Sequence, residues 1–186
     1  MKPLKELTPE ELGALFPIFL SDHNPDWINL YREEERLIRI ALGNSGIVRI
    51  SHIGSTAIPG LKAKPTIDIL LEIPEPVDEE LLLNKLTELG YDFIPKPENP
   101  APHMMFAKGY TPDGFRGQAC HIHVRYPGNW EEIRFRDYLL SHPEAAKGYE
   151  ILKQHLAITF PNDREGYTEG KSEFIRELLQ KINRSK

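Results

Sequence analysis

The spacing of hydrophobic positions along the chain changes twice, and each change predicts a new kind of element. Near the amino end Thr8 stands as a cap, Pro9 occupies the first helical position, and Glu10 and Glu11 fill the first turn, a combination that starts a helix. A second helix begins at Asn24-Pro25 and runs through "DWINLYREEERLIRIAL". Its Trp27, Leu30, Tyr31, Leu37, Ile38 and Ala41 form one stripe, and Gly43 stops it. The period then shortens. "GIVRISHI" (46–53) and "TIDILLEI" (66–73) are short and β-branched, as strands are. Asp78 caps "EELLLNKLTELG", a leucine-spaced helix that ends at Gly90. "YDFI", "HMMFAKGY" and "ACHIHVRY" then predict three more strands, the last two joined by the hairpin loop "TPDGFRGQ". Beyond Asn129 helical spacing returns in three segments, "NWEEIRFRDYLLSH", "PEAAKGYEILKQHLAITF" and "DREGYTEGKSEFIRELLQKI". The order predicts an α+β (α/β) domain: a mixed sheet of about four or five strands flanked by helices, with a carboxy-terminal helical tail.

Strand alternation says which side chains share a face. In "TIDILLEI" the residues Ile67, Ile69, Leu71 and Ile73 make an apolar face, which leaves Asp68, Leu70 and Glu72 on the other. In "ACHIHVRY" the apolar set is Cys120, Ile122 and Val124, which leaves His121, His123 and Arg125. If helices cover the apolar faces, the polar ones line one side of the same sheet. A carboxylate and two imidazoles there suit a divalent metal or acid-base chemistry. Three other arrangements stay open: a histidine-triad-like hydrolase with Arg125 where a third histidine would stand, zinc held by His103, His121 and His123, and a thiol nucleophile at Cys120.

Between the first two strands lies "GSTAIPGLKAKP" (54–65). Gly54-Ser55 after a strand offers backbone N–H groups and a hydroxyl at a point of close approach, as phosphate recognition requires. Lys62, Lys64, Arg116, Arg125, Arg134 and Arg136 are candidates for a local basic pocket.

Bulk properties narrow the classes. A length of 186 residues fits one domain, residues 1–186. A net charge of -5 argues against binding nucleic acid through a broad basic surface. No apolar run reaches membrane-spanning length, and "MKPLKELTPEELG" lacks a signal peptide's apolar stretch. A single cysteine, Cys120, excludes an intrachain disulfide framework. Together these place the chain in the cytoplasm; its oligomeric state is not legible here.

A strand ending in Gly-Ser, a loop, and a second strand opening with an aspartate resemble the signature of polymerase-β-type nucleotidyltransferases. "HIGSTAIPGLKAKPTIDI", "CHIHVR", "FRDYLLSHPEAAKGYEILKQHLA" and "YTEGKSEFI", in that order, narrow the resemblance to the GrpB family of nucleotidyltransferase-like proteins. It covers residues 25–182 and leaves 1–24 as an amino-terminal helical extension. The resemblance implies that Asp68 holds a divalent metal, magnesium or manganese, with His121 and His123 as fellow ligands and catalytic groups. It implies that His52, Gly54, Ser55 and Lys64 belong to a signature loop that binds a nucleoside triphosphate or another phosphorylated small molecule. Pro59, Gly60 and Pro65 complete that loop. Arg136, Asp137, Tyr167 and Lys171 are signature positions of the tail, with Arg125, Arg136 and Lys171 as phosphate-binding candidates. Tyr167 and Lys171, four apart, are expected on one helix face. One departure stands out: the superfamily's second acid falls at Leu70, which binds no metal. The implied activity is nucleotidyl transfer to a small molecule or protein. The alternative is a non-catalytic module that binds a nucleotide or phospholigand.

Overall fold

The computed structural model describes residues 2–184, so Met1, Ser185 and Lys186, which the single-domain expectation includes, lie outside the described residues. Five strands form one sheet in the order β1-β2-β5-β4-β3, with β1 Arg49–Ile53, β2 Thr66–Glu72, β3 Asp92–Pro95, β4 Met104–Thr111 and β5 Gly114–Arg125. β2 and β5 run parallel at the centre, and the other neighbours pair antiparallel. Helix α1 (Pro9–Leu15) is capped by Thr8 as expected, and Glu11 reaches back to complete a capping box. Helix α2 (Trp27–Leu42) begins two residues after Pro25, and α3 (Glu79–Glu88) is capped by the Asp78 side chain, which accepts from Leu81 N–H. The tail comprises α4 (Glu131–Ser141), α5 (Pro143–Thr159), α6 (Arg164–Glu169) and α7 (Ser172–Arg184).

The apolar sheet face is buried as alternation requires. Ile67, Ile69, Leu71, Cys120, Ile122 and Val124 are fully buried against Trp27, Tyr31 and Ile38 of α2 and Leu82 and Leu86 of α3. A second core joins Ile58 and Leu61 of the β1–β2 loop to Leu139, Tyr149 and Leu178 of the tail, and a third joins Ile18 to Leu156 and Tyr167. The helical tail is thus packed on the loop that follows β1.

Three local expectations differ. The hairpin between β4 and β5 is tighter than "TPDGFRGQ", because Thr111 pairs with Gly114 and strand structure continues through Phe115–Gln118. Trp130 caps α4 instead of lying within it, its indole donating to Tyr126 O at 3.0 Å. Tyr167 and Lys171 do not share a helix, since α6 ends at Glu169 and α7 begins at Ser172. They still meet, with the Lys171 ammonium 4.5 Å from the Tyr167 ring centre.

Candidate functional site

Parallel pairing sets Asp68 opposite His121 and Leu70 opposite His123. Because alternate residues face one side, Asp68 and both histidines converge. Asp68 Oδ1 lies 3.1 Å from His121 Nδ1 and 3.6 Å from His123 Nε2, and one donor atom from each residue falls within 4.8 Å of the others. Two imidazole nitrogens facing one carboxylate oxygen repel it unless a proton or a cation lies between them. Burial alone raises the Asp68 carboxyl, but hydrogen bonds from His121 and His123, and then their charge, hold it well below the usual carboxylate range. The far nitrogen of His121, Nε2, is hydrogen bonded to the Tyr110 hydroxyl at 2.9 Å, and the two rings stack. Such an outer partner fixes a ligating imidazole's orientation and tautomer.

The β1–β2 loop brings Gly54 against this cluster. Gly54 has φ +72°, and a Cβ there would lie 2.6 Å from Asp68 Oδ2, so both its backbone and its missing side chain are required. Ser55 opens a single 3₁₀ turn, Ser55–Ala57. Its Oγ accepts from Lys153 Nζ of α5 at 3.0 Å, and Lys153 also donates to Lys62 O. Glu150, one turn earlier, accepts from Lys62 N–H at 2.8 Å. α5 therefore grips the loop at two points.

His52 and Arg136 brace the loop from behind. Burial pushes His52 down to about 4, so the ring is neutral at pH 7. Its Nε2 donates to Thr56 Oγ1 at 3.0 Å, while the Thr56 hydroxyl donates to Thr66 O at 3.0 Å and thus ties the loop's start to its end. Arg136 donates to His52 O at 2.7 Å and pairs with Asp137.

Three lysines crowd the other side. Lys64 is lowered to about 8, first by burial and then by Arg164 and Lys171, against the opposing pull of Asp68. Burial, with Lys171 adding to it, lowers Lys153 to about 7, and burial also lowers Lys171. Burial is the leading cause in all three, with neighbouring positive charge adding to it for Lys64 and Lys153.

Of the sequence candidates, Asp68, His121, His123, Gly54, Ser55, Lys64 and Lys171 thus lie in one neighbourhood, with His52 and Arg136 supporting it. Arg125 is elsewhere. It sits two register steps beyond His123, opposite Glu72, buried, 3.3 Å from Glu132 and over the Trp130 ring. Leu70 is fully buried and Glu72 is engaged by Arg49 and by Gly128 N–H, so neither extends the Asp68–His121–His123 cluster. His103 lies outside the cluster, hydrogen bonded to Asn99 O at φ 63°. Cys120 points to the opposite face, where burial raises its thiol to about 12. Arg134 pairs with Glu131 and Asn183, and Arg116 is exposed. Sequence reasoning missed Lys153, Arg164 and Tyr110. The signal for Lys153 was its place inside "GYEILKQHLA", the tail block that carries the resemblance.

A mixed sheet with a Gly-Ser loop leading to an acid on the next strand defines a nucleotidyltransferase-like fold. The Cid1 poly (U) polymerase solved with MgATP shares it, with a TM-score of 0.50, 13% identity, and 73% of this chain covering 44% of that one. Within that class, the family model described as GrpB protein matches residues 17–181, and the chain belongs to the GrpB family. The conserved protein GrpB from Enterococcus faecalis superposes with a TM-score of 0.78 at 26% identity, covering 90% of this chain and 98% of that one. A UPF0157 protein of Pseudomonas aeruginosa is 42% identical over 158 residues, 84% of this chain; the chain spans 64% of that relative's length. Among the described residues no helix is long and apolar enough to cross a membrane.

Proposed function

We propose that this protein is a metal-dependent nucleotidyltransferase that moves a nucleotidyl group from a nucleoside triphosphate to an acceptor. The observation that carries the reading is the meeting of Asp68, His121 and His123 beside Gly54-Ser55 and the buried lysines Lys64 and Lys153. Two imidazoles and one carboxylate fit manganese better than magnesium, which prefers oxygen donors. Asp68, His121 and His123 would hold that ion, which when bound supplies charge stabilisation to the reacting phosphoryl oxygens.

The chain's own groups account for the rest. Gly54 lets the phosphates approach the backbone, and the Ser55 hydroxyl and the Lys153, Lys64 and Lys171 ammoniums bind the triphosphate charge. The acceptor oxygen bonds to the α-phosphorus as its bond to the bridging oxygen breaks. Pyrophosphate departs toward the lysines, and the acceptor's proton is released to solvent, since the lone pairs of Asp68, His121 and His123 would be engaged by the ion. Tyr110 keeps His121 oriented throughout.

A second reading, a phospholigand-binding module without turnover, is favoured by the buried Leu70 at the second-acid position. Titration with ATP, GTP, CTP and UTP, with and without manganese or magnesium, separates the two. For the enzyme, binding is metal-dependent, pyrophosphate is released, and Asp68→Asn abolishes both. Tight binding indifferent to metal and to Asp68→Asn would establish the module and sink the enzyme.

A further inference from the structure

Behind the Tyr110–His121 hydrogen bond lies a cleft of about 210 Å³ that the scheme above leaves unused. Its walls are Phe19, Phe115, Tyr110 and Pro65, and Lys64 and Arg164 bring positive charge to it. Phe19 and Phe115 are 46% and 42% exposed, yet both rings turn to this one cleft. Phe115 packs edge-on to Phe19 and tilted to Tyr110, with centroids 6.4 and 5.3 Å apart. Open aromatic walls are costly to leave in water and suit a flat apolar guest.

The cations are as informative as the rings. Arg164 donates to Phe16 O at 3.0 Å and lies over the Tyr110 ring. Among the described residues neither Arg164 nor Lys64 makes an ion pair with a carboxylate. Lys64 lies against the Tyr167 ring instead. Two cations at an apolar cleft, close enough to depress one of them, supply the counter-charge for an anionic group carried by the guest.

We infer that this cleft is the acceptor pocket and that the acceptor is a small molecule with a flat apolar ring bearing a carboxylate or phosphate. The ring lies among Phe19, Phe115 and Tyr110, and the anionic group meets Arg164, the lining cation that the triphosphate scheme does not use. That placement presents the guest to the Tyr110–His121 side of the site. The assignment rests on the nucleotidyltransferase reading for the word acceptor, whereas the binding site itself stands on the cleft alone.

Calorimetric titration with benzoate, phenyl phosphate, neutral benzamide and inorganic phosphate, in buffer free of nucleotide and metal, tests it. Benzoate or phenyl phosphate should bind at least about tenfold more tightly than benzamide, a difference of about 1.4 kcal/mol. Which of the two binds better identifies the anionic group. Arg164→Met and Phe115→Ala should each weaken the aryl anion about tenfold, and Arg164→Lys should recover part of the loss. Asp68→Asn should leave this binding unchanged while removing transfer. Thermal unfolding of Arg164→Met and Phe115→Ala confirms that each is folded; Phe115→Ala keeps the Arg164 hydrogen bond to Phe16 O while removing the ring that packs on Phe16. Benzamide binding as tightly as benzoate, inorganic phosphate binding as tightly as phenyl phosphate, or indifference to both pocket variants overturns the proposal. Saturable aryl-anion binding in a protein that transfers no nucleotide leaves the pocket standing and removes only its role as acceptor site.

Discussion

At the scale of single residues, the site depends on side chains whose charge state and size are set by close neighbours. Gly54 is the clearest case, since a methyl group there would collide with Asp68 Oδ2 and require a positive φ as well. Gly54→Ala should cost about 1–3 kcal/mol of stability and displace the carboxylate. Urea unfolding and manganese titration of the variant check both. Lys153 carries the pH dependence. Its ammonium is pushed down to about 7 by burial, whereas an unfolded lysine titrates near ~10.4. Between those values the unfolded chain binds more protons, so stability rises with pH, and Lys153→Met should reduce that slope while Lys64, lowered to about 8, keeps its own part of it. Ligand binding runs the other way, because triphosphate needs the charged ammonium. Nucleotide affinity should fall as pH climbs past about 7 for Lys153 and about 8 for Lys64, a trend that calorimetry over roughly pH 6–9 measures.

At the scale of elements, the parallel pair β2–β5 does the positioning. Alternation made Asp68, His121 and His123 legible as one face because a strand has a period of two and its apolar half had to go to the core. Leu70 shares that face yet is wholly buried, paired with Ser51 on one side and His123 on the other. Restoring an acid there should therefore not restore a second metal ligand. Leu70→Asp should lower stability by about 3–5 kcal/mol, as an unpaired buried charge does. Chemical denaturation gives the first value, and an unchanged metal stoichiometry on calorimetry gives the second. The β1–β2 loop is an element in its own right, closed by the His52–Thr56–Thr66 chain of hydrogen bonds. Thr56→Val should lower nucleotide affinity while leaving manganese binding at Asp68 intact, which parallel titrations with each ligand detect.

At the scale of the whole molecule, the tail is a second wall of the site. Lys153 reaches Ser55 across 98 residues of sequence, and Arg164 reaches Phe16 across 148. Neither contact was visible in the pattern, because a lysine or arginine on an amphipathic helix ordinarily faces water. Burial turned them inward here, since α5 and α6 also supply Tyr149, Leu156 and Tyr167 to the second and third cores. If the tail supplies triphosphate charge, Lys153→Met should reduce nucleotide affinity about tenfold or more and leave metal binding alone, a split that sets it apart from Asp68→Asn.

The sequence by itself determined the elements, the burial of one sheet face and the identity of the polar residues left on the other, because strand period and apolar spacing are local properties. It also carried the family blocks. Only the tertiary structure decided which cations reach the site. Arg125 lies on the right face but two register steps too far along, and its guanidinium goes to Glu132. Arg136 donates to the His52 carbonyl, while Lys153 and Arg164 arrive from helices far along the chain. The physical reason is that alternation fixes a side chain's face, whereas its distance from Asp68 depends on register and helix docking, which long-range packing sets.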